Sequence, residues 1–317
     1  MCVEFFPFLR FQDWSQRFFV DWRHRGLKEI KPNVSVVMTV RNVSTTIVDC
    51  LHTILNQTFD NFEIIIIDDF STDNTGRLIQ DLGDSRIKYL KNDNWLGITP
   101  SRNNGVRKAK GEIIFFTDGD CTVSKNWIEE GLNSMRNLNC VGVEGKICYV
   151  SKNYKPTFSD HVMENRHGGT FMTGNMAYKK VAIEKVGGFD ERLTYLEDRD
   201  IAFRIMKHGT ICFNPEMIVY HPRVIMTPRR LIKSADYVKN RVFLYKKFRR
   251  RDFMLWRILY PLHIVKILFP PLIFTSLFSK RFKSSEDFRL LPFMYIYLVF
   301  QRIKLWKECA KEKVFLI

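Results

Sequence analysis

"FFTDGDC", residues 115–121, runs from an apolar strand straight into two carboxylates separated by one glycine. Residues i and i+2 of an extended chain point the same way, so Asp118 and Asp120 face one spot. Like charges that close repel unless a cation sits between them. A hard divalent ion, which prefers oxygen ligands and keeps positions open for phosphate, is the natural occupant. The competing reading is a polar strand end opening a turn, because Asp and Gly favour turns in any setting. A lone D-x-D does not choose between these, and the flanking sequence must.

Outward from that stretch the chain alternates apolar runs with amphipathic ones. "VSVVMTV" (34–40), "FEIIIID" (62–68) and "EIIFFTD" (112–118) read as strands buried on both faces, and "RIKYL" (86–90) as a shorter, more exposed one. Helix-like pieces lie between and after them, near 44–56, 73–82, 98–109 and 124–136. Buried strands alternating with helices predict an α/β fold with a mostly parallel central sheet. Such sheets bind ligands beyond the carboxyl ends of their strands. Three strands bring polar side chains to that rim: Arg41 and Asn42, then Asp68 and Asp69, then Asp118 and Asp120. Residues 150–170 read as a loop or lid. A further αβ unit follows, then strand-like "ICFNPEMIVYH" (211–221).

Charge divides the chain. Residues 1–221 hold 28 Lys and Arg against 28 Asp and Glu, whereas residues 222–317 hold 22 against 6, the whole of the +16 excess. A neutral body with a basic tail suggests a catalytic or binding domain plus a segment drawn to phosphate, on nucleic acid or on a membrane surface. The expected organisation is an amphipathic segment over 1–32, a catalytic domain over 33–222 and a basic, apolar helical region over 223–317. In the first segment Phe11, Trp14, Phe18 and Trp22 fall at helical spacing. In the last, 253–279 is interrupted by charge and by Pro270-Pro271, and the run at 290–300 is short of the ~20 residues a span needs. Apolar faces edged by Lys and Arg suit a helix lying in the membrane interface. The alternative is an ordinary helical appendage on the core. Seven scattered cysteines without a C-x-x-C pair fit a reducing compartment. Sequons beginning at Asn33, Asn42 and Asn56 fall in or beside core elements, and no secretory leader pattern opens the chain. The expectation is cytoplasmic, peripheral on the cytoplasmic face of a membrane.

Four motifs stand in order: "VSVVMTVRN" (34–42), "IIIIDDFSTDNT" (64–75), "SRNNGVRKAKGEIIFFTDGD" (101–120) and "TGNMAYKKVAIEKVGGFDERLTYLEDRDIAFRIMKHG" (173–209). Together they closely resemble the family-2 glycosyltransferases of GT-A fold, over roughly residues 34–221. The resemblance implies inverting, metal-assisted transfer of a sugar from a nucleotide-diphosphate donor to a hydroxyl of a glycan or lipid-linked acceptor. Its cofactor would be Mn2+ or Mg2+.

Carried onto this sequence, the resemblance gives Asp198 as general base, the carboxylate that takes the acceptor hydroxyl's proton. Thr39, Arg41, Asn42, Asp68, Asp69, Arg102 and Asp118 would hold the nucleotide, and Asp118, Asp120 and His221 the metal. Gly174, Asn175 and Glu197 would line the acceptor or sugar pocket. Gly119 would let the backbone approach the ligand closely. Phe70 stands where the family carries glycine, which implies a different backbone at that turn. Acids opening a helix, such as Glu197 and Asp198, also serve as cap and dipole partners.

Two other functions compete with this one. A sugar nucleotidyltransferase needs a glycine-rich triphosphate loop after the first strand, and "TVRNVSTT" has no glycine. A nucleic-acid-binding protein using residues 222–317 leaves the acidic rim unexplained, because carboxylates repel a phosphate backbone. No nucleic-acid partner is expected. The Q-x-x-R-W motif of processive synthases is also absent, so a single addition per encounter is expected.

Overall fold

The structure, a computed structural model, describes residues 34–149, 155, 157–161, 163–249, 254–255, 258–259, 261–273 and 285–314. The amphipathic segment expected over 1–32 and part of the 253–279 stretch lie outside the described residues.

The elements run β1 (Val34–Val40), α1 (Ile47–Leu55), β2 (Phe62–Asp68), α2 (Thr75–Asp81), β3 (Ile87–Lys91), α3 (Ile98–Lys108) and β4 (Ile113–Phe116). Then come β5 (Thr122–Val123), α4 (Trp127–Asn137), β6 (Gly142–Tyr149), β7 (Met176–Lys179), α5 (Lys180–Lys185), α6 (Glu197–Ile205) and β8 (Ile211–His221). The C-terminal helices are α7 (Pro228–Ser234), α8 (Val238–Phe248), α9 (Pro261–Leu268) and α10 (Ser285–Glu312). The eleven-residue run at 290–300 is thus part of a 28-residue helix. Among the described residues no helix is long and apolar enough to cross a membrane.

The strands form one sheet in the order β3-β2-β1-β4-β7-β6-β8-β5. Strands β1 to β4, β6 and β8 share one direction, and β7 and β5 oppose it. Antiparallel β7 has a simple cause: no crossover helix separates it from β6, so the chain returns at the rim it left. This puts the start of β7, after Thr173-Gly174-Asn175, beside the carboxyl end of β4, with Met176 paired to Phe116.

Alternation along the strands builds two cores. Val36, Met38, Ile64, Ile66 and Phe115 pack with Leu51, Ile54 and Trp127 on one face. Val37, Ile65, Ile67, Ile114 and Phe116 pack with Val106, Ile183, Ile201 and Ile205 on the other. Helices therefore cover both faces, which is why the central strands are apolar at nearly every position. The C-terminal helices join this body through side chains. Leu244 of α8 is buried with Leu193 and Leu196, just before α6, and Val238 and Val242 pack on Leu305 and Cys309 of α10.

Candidate active site

The rim encloses a cleft of about 590 Å3. Thr39, Arg41, Arg102, Asp118, Asp120, Gly174, Glu197, Asp198 and His221 all line it. Nine of the residues picked out in the sequence are thus brought together from six strands or helices and the turns beside them: β1, α3, β4, β7, α6 and β8. Asn42, Asp68, Asp69 and Asn175 are not among the lining residues, and each has a defined place elsewhere.

Asp68 is fully buried. It accepts from the Ser71 amide at 2.7 Å and from the Tyr89 hydroxyl at 2.6 Å, so both oxygens are engaged by its own chain. Asn42 is exposed and its Oδ1 accepts from the Thr72 amide at 2.8 Å, fastening the β1 end to the β2–α2 loop. Asn175 repairs a bulge. The register of β6 against β8 shifts between Gly145 and Lys146. The Asn175 amide donates to the carbonyls of Lys146 (2.9 Å) and Met217 (2.8 Å), while its oxygen accepts from Trp127 Nε1 at 2.8 Å. Every polar atom of that side chain has a protein partner.

Asp69 shapes a second, smaller cavity of about 350 Å3 that shares Thr39, Arg41 and Ile98 with the cleft. Its carboxylate accepts from the Leu96 and Gly97 amides, both at 2.9 Å, and from Asn92 Nδ2 at 3.0 Å. These bonds hold the loop carrying Trp95, an exposed indole with the Arg41 guanidinium 5.1 Å from its centroid. Thr39 Oγ1, at the junction of the two cavities, is buried with no hydrogen-bond partner. A buried hydroxyl in that state is costly unless a ligand completes it.

Past the end of β4, Asp118 and Asp120 keep side-chain exposures of 29% and 34%. His221 Nε2 lies 4.0 Å from Asp120 Oδ1. Its Nδ1 lies 2.7 Å from the Pro222 carbonyl, which can only accept. Nδ1 therefore carries the proton, and the Nε2 lone pair faces Asp120. A divalent cation with ligand distances of about 2.1 Å spans two ligand atoms up to about 4.2 Å apart, so the pair fits one ion. Burial, together with the charge of Asp118, raises the Asp120 carboxyl. Cys121, not picked out in the sequence, completes a trio of ligand-type atoms lying within 4.8 Å of one another. Its thiol is held protonated by burial and by both aspartates, which suits a hydrogen-bond donor to Asp120 better than a ligand for a hard ion.

The two glycines here have different reasons. A Cβ on Gly174 would lie 3.0 Å from Asp118 Oδ2, inside the cleft. A Cβ on Gly119 would lie 2.7 Å from a Val40 methyl, so packing against the β1 end, rather than a ligand, requires that glycine. Phe70, in place of a glycine, still adopts φ of +66°. The turn thus keeps the left-handed conformation that glycine takes freely.

The turn that opens α6 is equally constrained. Leu196 has φ of +65° and opens α6. Glu197, nearly buried, accepts from Arg102 Nη1 at 2.6 Å, and Arg102 Nη2 lies 3.5 Å from Asp118 Oδ1. Arg102 thus connects the turn bearing Asp198 to Asp118. Among the described residues Asp198 accepts only from the Arg199 amide, at 2.7 Å. Burial and the neighbouring Glu197 charge push its carboxyl up to about 7. Glu144, also missed in the sequence, accepts from the amides of Gly169, Thr170 and Phe171 and so fixes the base of the 163–172 rim. A buried acid in mid-strand carries no local signal for that task.

Comparison with known proteins agrees with this fold. Residues 35–189 match the family model "Glycosyl transferase family 2". Glycosyltransferase GlyG of Streptococcus pneumoniae is 40% identical over 98 residues, 30% of this chain and 33% of that protein, so this chain spans about a third of it. The UDP-Glc:α-D-GlcNAc-diphosphoundecaprenol β-1,3-glucosyltransferase WfaP of Escherichia coli is 30% identical over 195 residues, 60% of this chain and 77% of that protein. Among solved structures, mannosyltransferase PcManGT from Pyrobaculum calidifontis, in complex with GDP-Man and Mn2+, superposes with a TM-score of 0.57. It is 16% identical and covers 87% of each chain. S. aureus TarS 1–349 in complex with UDP-GlcNAc gives 0.56 at 17% identity, over 89% of this chain and 93% of that one. The sheet and its flanking helices are those of the GT-A fold, and the chain belongs to glycosyltransferase family 2.

Proposed function

We propose that this glycosyltransferase performs an inverting, metal-assisted transfer from a nucleotide-diphosphate sugar to a hydroxyl of a glycan or lipid-linked acceptor, with Asp198 as base. One observation carries the reading. The cleft carboxylates Asp118, Glu164 and Glu197 each face an arginine, and Asp120 faces His221. Asp198 has no ion-pair partner among the described residues. A free carboxylate raised toward neutrality matches the task of taking a proton from a sugar hydroxyl.

The remaining roles follow from position. The smaller cavity takes the base, with Trp95 as a stacking face, Asp69 holding its loop and Thr39 Oγ1 available to the nucleoside. Asp120 and His221 hold Mn2+ or Mg2+, with Asp118 beside them. When bound, the cation stabilises charge on the departing diphosphate. Arg102 fixes both walls, and Asp198 accepts the proton as the acceptor oxygen forms its new bond to the anomeric carbon. That single displacement inverts the centre and needs no protein nucleophile. The lipid-linked acceptor of WfaP supports an acceptor of that class here.

Peripheral association with the cytoplasmic face of a membrane belongs to the same proposal. Leu262, Leu268 and Phe269 of the α9 region and Phe288, Phe300 and Trp306 of α10 are exposed, in the segment carrying the excess positive charge. An apolar stripe beside cations suits an anionic interface. Phe300→Glu/Trp306→Glu should lose flotation with anionic vesicles, and unchanged flotation would reject that face. The donor reading is tested by melting the full chain with UDP or GDP, with and without Mn2+. A Tm rise that requires Mn2+ is expected, and no rise with either nucleotide would overturn it.

A further inference from the structure

The cleft opens into a larger hollow of about 750 Å3, walled by the C-terminal helices. Asp120, His161, Tyr195 and Arg241 line both spaces, so the two are continuous. The donor reading above has no use for this hollow. Much of its inner wall is apolar: Leu231, Val238 and Leu290 are buried there and Met294 faces it from α10, beside the polar Tyr297 and Gln301. Cations mark its edge: Arg230 and Lys233 of α7 are exposed, and Arg241 of α8 lies where the hollow meets the cleft. Of its acids, Asp160 is held by Arg223 Nε at 2.6 Å, and Asp120 belongs to the metal wall. At the junction Tyr195 stacks on Tyr237, centroids 4.2 Å apart and planes at 16°, forming a flat aromatic platform three residues before Asp198.

A platform for a ring, cations for an anion and an apolar trough describe one molecule in three parts. A free anionic glycan would use the cations and leave the trough without a partner. A neutral lipid would leave the cations idle. We propose that this hollow is the acceptor site and that it takes a lipid-linked sugar phosphate. Its sugar lies against Tyr195 with a hydroxyl toward Asp198, its phosphate or diphosphate meets Arg230, Lys233 and Arg241, and its hydrocarbon runs between α7, α8 and α10. The inference rests on the transfer reading above. α10 supports it from its other face, because the helix whose Leu290 and Met294 line the trough exposes Phe288, Phe300 and Trp306 outward. Lipid held at that outer stripe is one helix away from the trough.

The test is calorimetric titration of the full chain in EDTA, which removes any cation from the donor wall. The probes are farnesyl diphosphate below its micelle concentration, farnesol and inorganic pyrophosphate. Farnesyl diphosphate should bind about tenfold or more tightly than either fragment. Arg230→Glu/Lys233→Glu and, separately, Met294→Trp should each weaken it about tenfold or more. Pyrophosphate binding as tightly would reduce the hollow to an anion site, and farnesol binding as tightly to an apolar surface. Either result overturns the proposal, as does no binding to the native chain or unchanged binding by both variants. The Mn2+-dependent melt with UDP or GDP reports separately. If it holds while farnesyl diphosphate fails to bind, only the acceptor assignment falls; if it fails, the donor reading falls by itself.

Discussion

Arg102 and Glu197 form a 2.6 Å ion pair with side-chain exposures of only 7% and 10%, linking α3 to the first residue of α6. Truncating one partner of such a pair leaves a buried charge uncompensated, which costs about 3–5 kcal/mol. Arg102→Met should therefore destabilise the fold by about that amount. Arg102→Met/Glu197→Gln should recover part of the loss, giving a coupling energy above about 1 kcal/mol in urea melts. Strictly additive losses would mean that the pair does not hold the turn.

The raised Asp198 carboxyl has a kinetic and a thermodynamic consequence. As the proposed base it must be ionised, so at saturating Mn2+ kcat should rise through about pH 7 and level above it. Glu197, Arg102 and Arg199 are the charges that set this midpoint. For stability, between the unfolded value of about 4 and the folded value the native chain binds more protons than the unfolded one. Stability attributable to this residue therefore falls as pH rises through that window, and the loss is complete above the folded pKa. Asp198→Asn should flatten the decline between pH 5 and pH 8 in urea melts. An identical slope in the variant would show that Asp198 is not the buried acid responsible.

Gly174→Ala and Gly119→Ala should separate. The first places a methyl 3.0 Å from Asp118 Oδ2, and activity should fall about tenfold or more with little change in Tm. The second meets Val40 at 2.7 Å, and overpacking of about 1–3 kcal/mol should appear as lost stability. Equal effects on Tm would contradict the placement of Gly174 in the cleft.

Leu244 of α8 is buried against Leu193 and Leu196, and Leu196 holds the left-handed backbone that starts α6. Leu244→Ala should cost about 2–4 kcal/mol. It should also lower kcat more than it raises the donor KM, because the relaxed turn carries Asp198. A loss of stability with kcat intact would mean that the C-terminal helices do not position the base.

The strand runs at 34–40, 62–68 and 112–118 were legible because burial on both faces leaves near-continuous apolar sequence, and the rim follows from strand ends. The residues at that rim were legible as a set, but not one by one. Whether an acid faces a ligand or its own chain depends on partners far away in sequence: Asp68 is taken by Tyr89 and Ser71, and Asn175 by a bulge in β6 and by Trp127. Gly119 reads as a point of ligand approach because the sequence does not show Val40 beside it. Trp95 and Glu144 lie in stretches with no periodic or motif signal. The hollow of α7, α8 and α10 arises only from helix packing, although its basic and apolar composition was visible.

The most direct measurement of the account is on Asp198→Asn, with nucleotide binding and sugar transfer followed in the same preparation. The variant should keep the native Mn2+-dependent Tm rise with its nucleoside diphosphate while its transfer rate falls by about 10²–10⁴. Transfer within about threefold of native would contradict a base at this position.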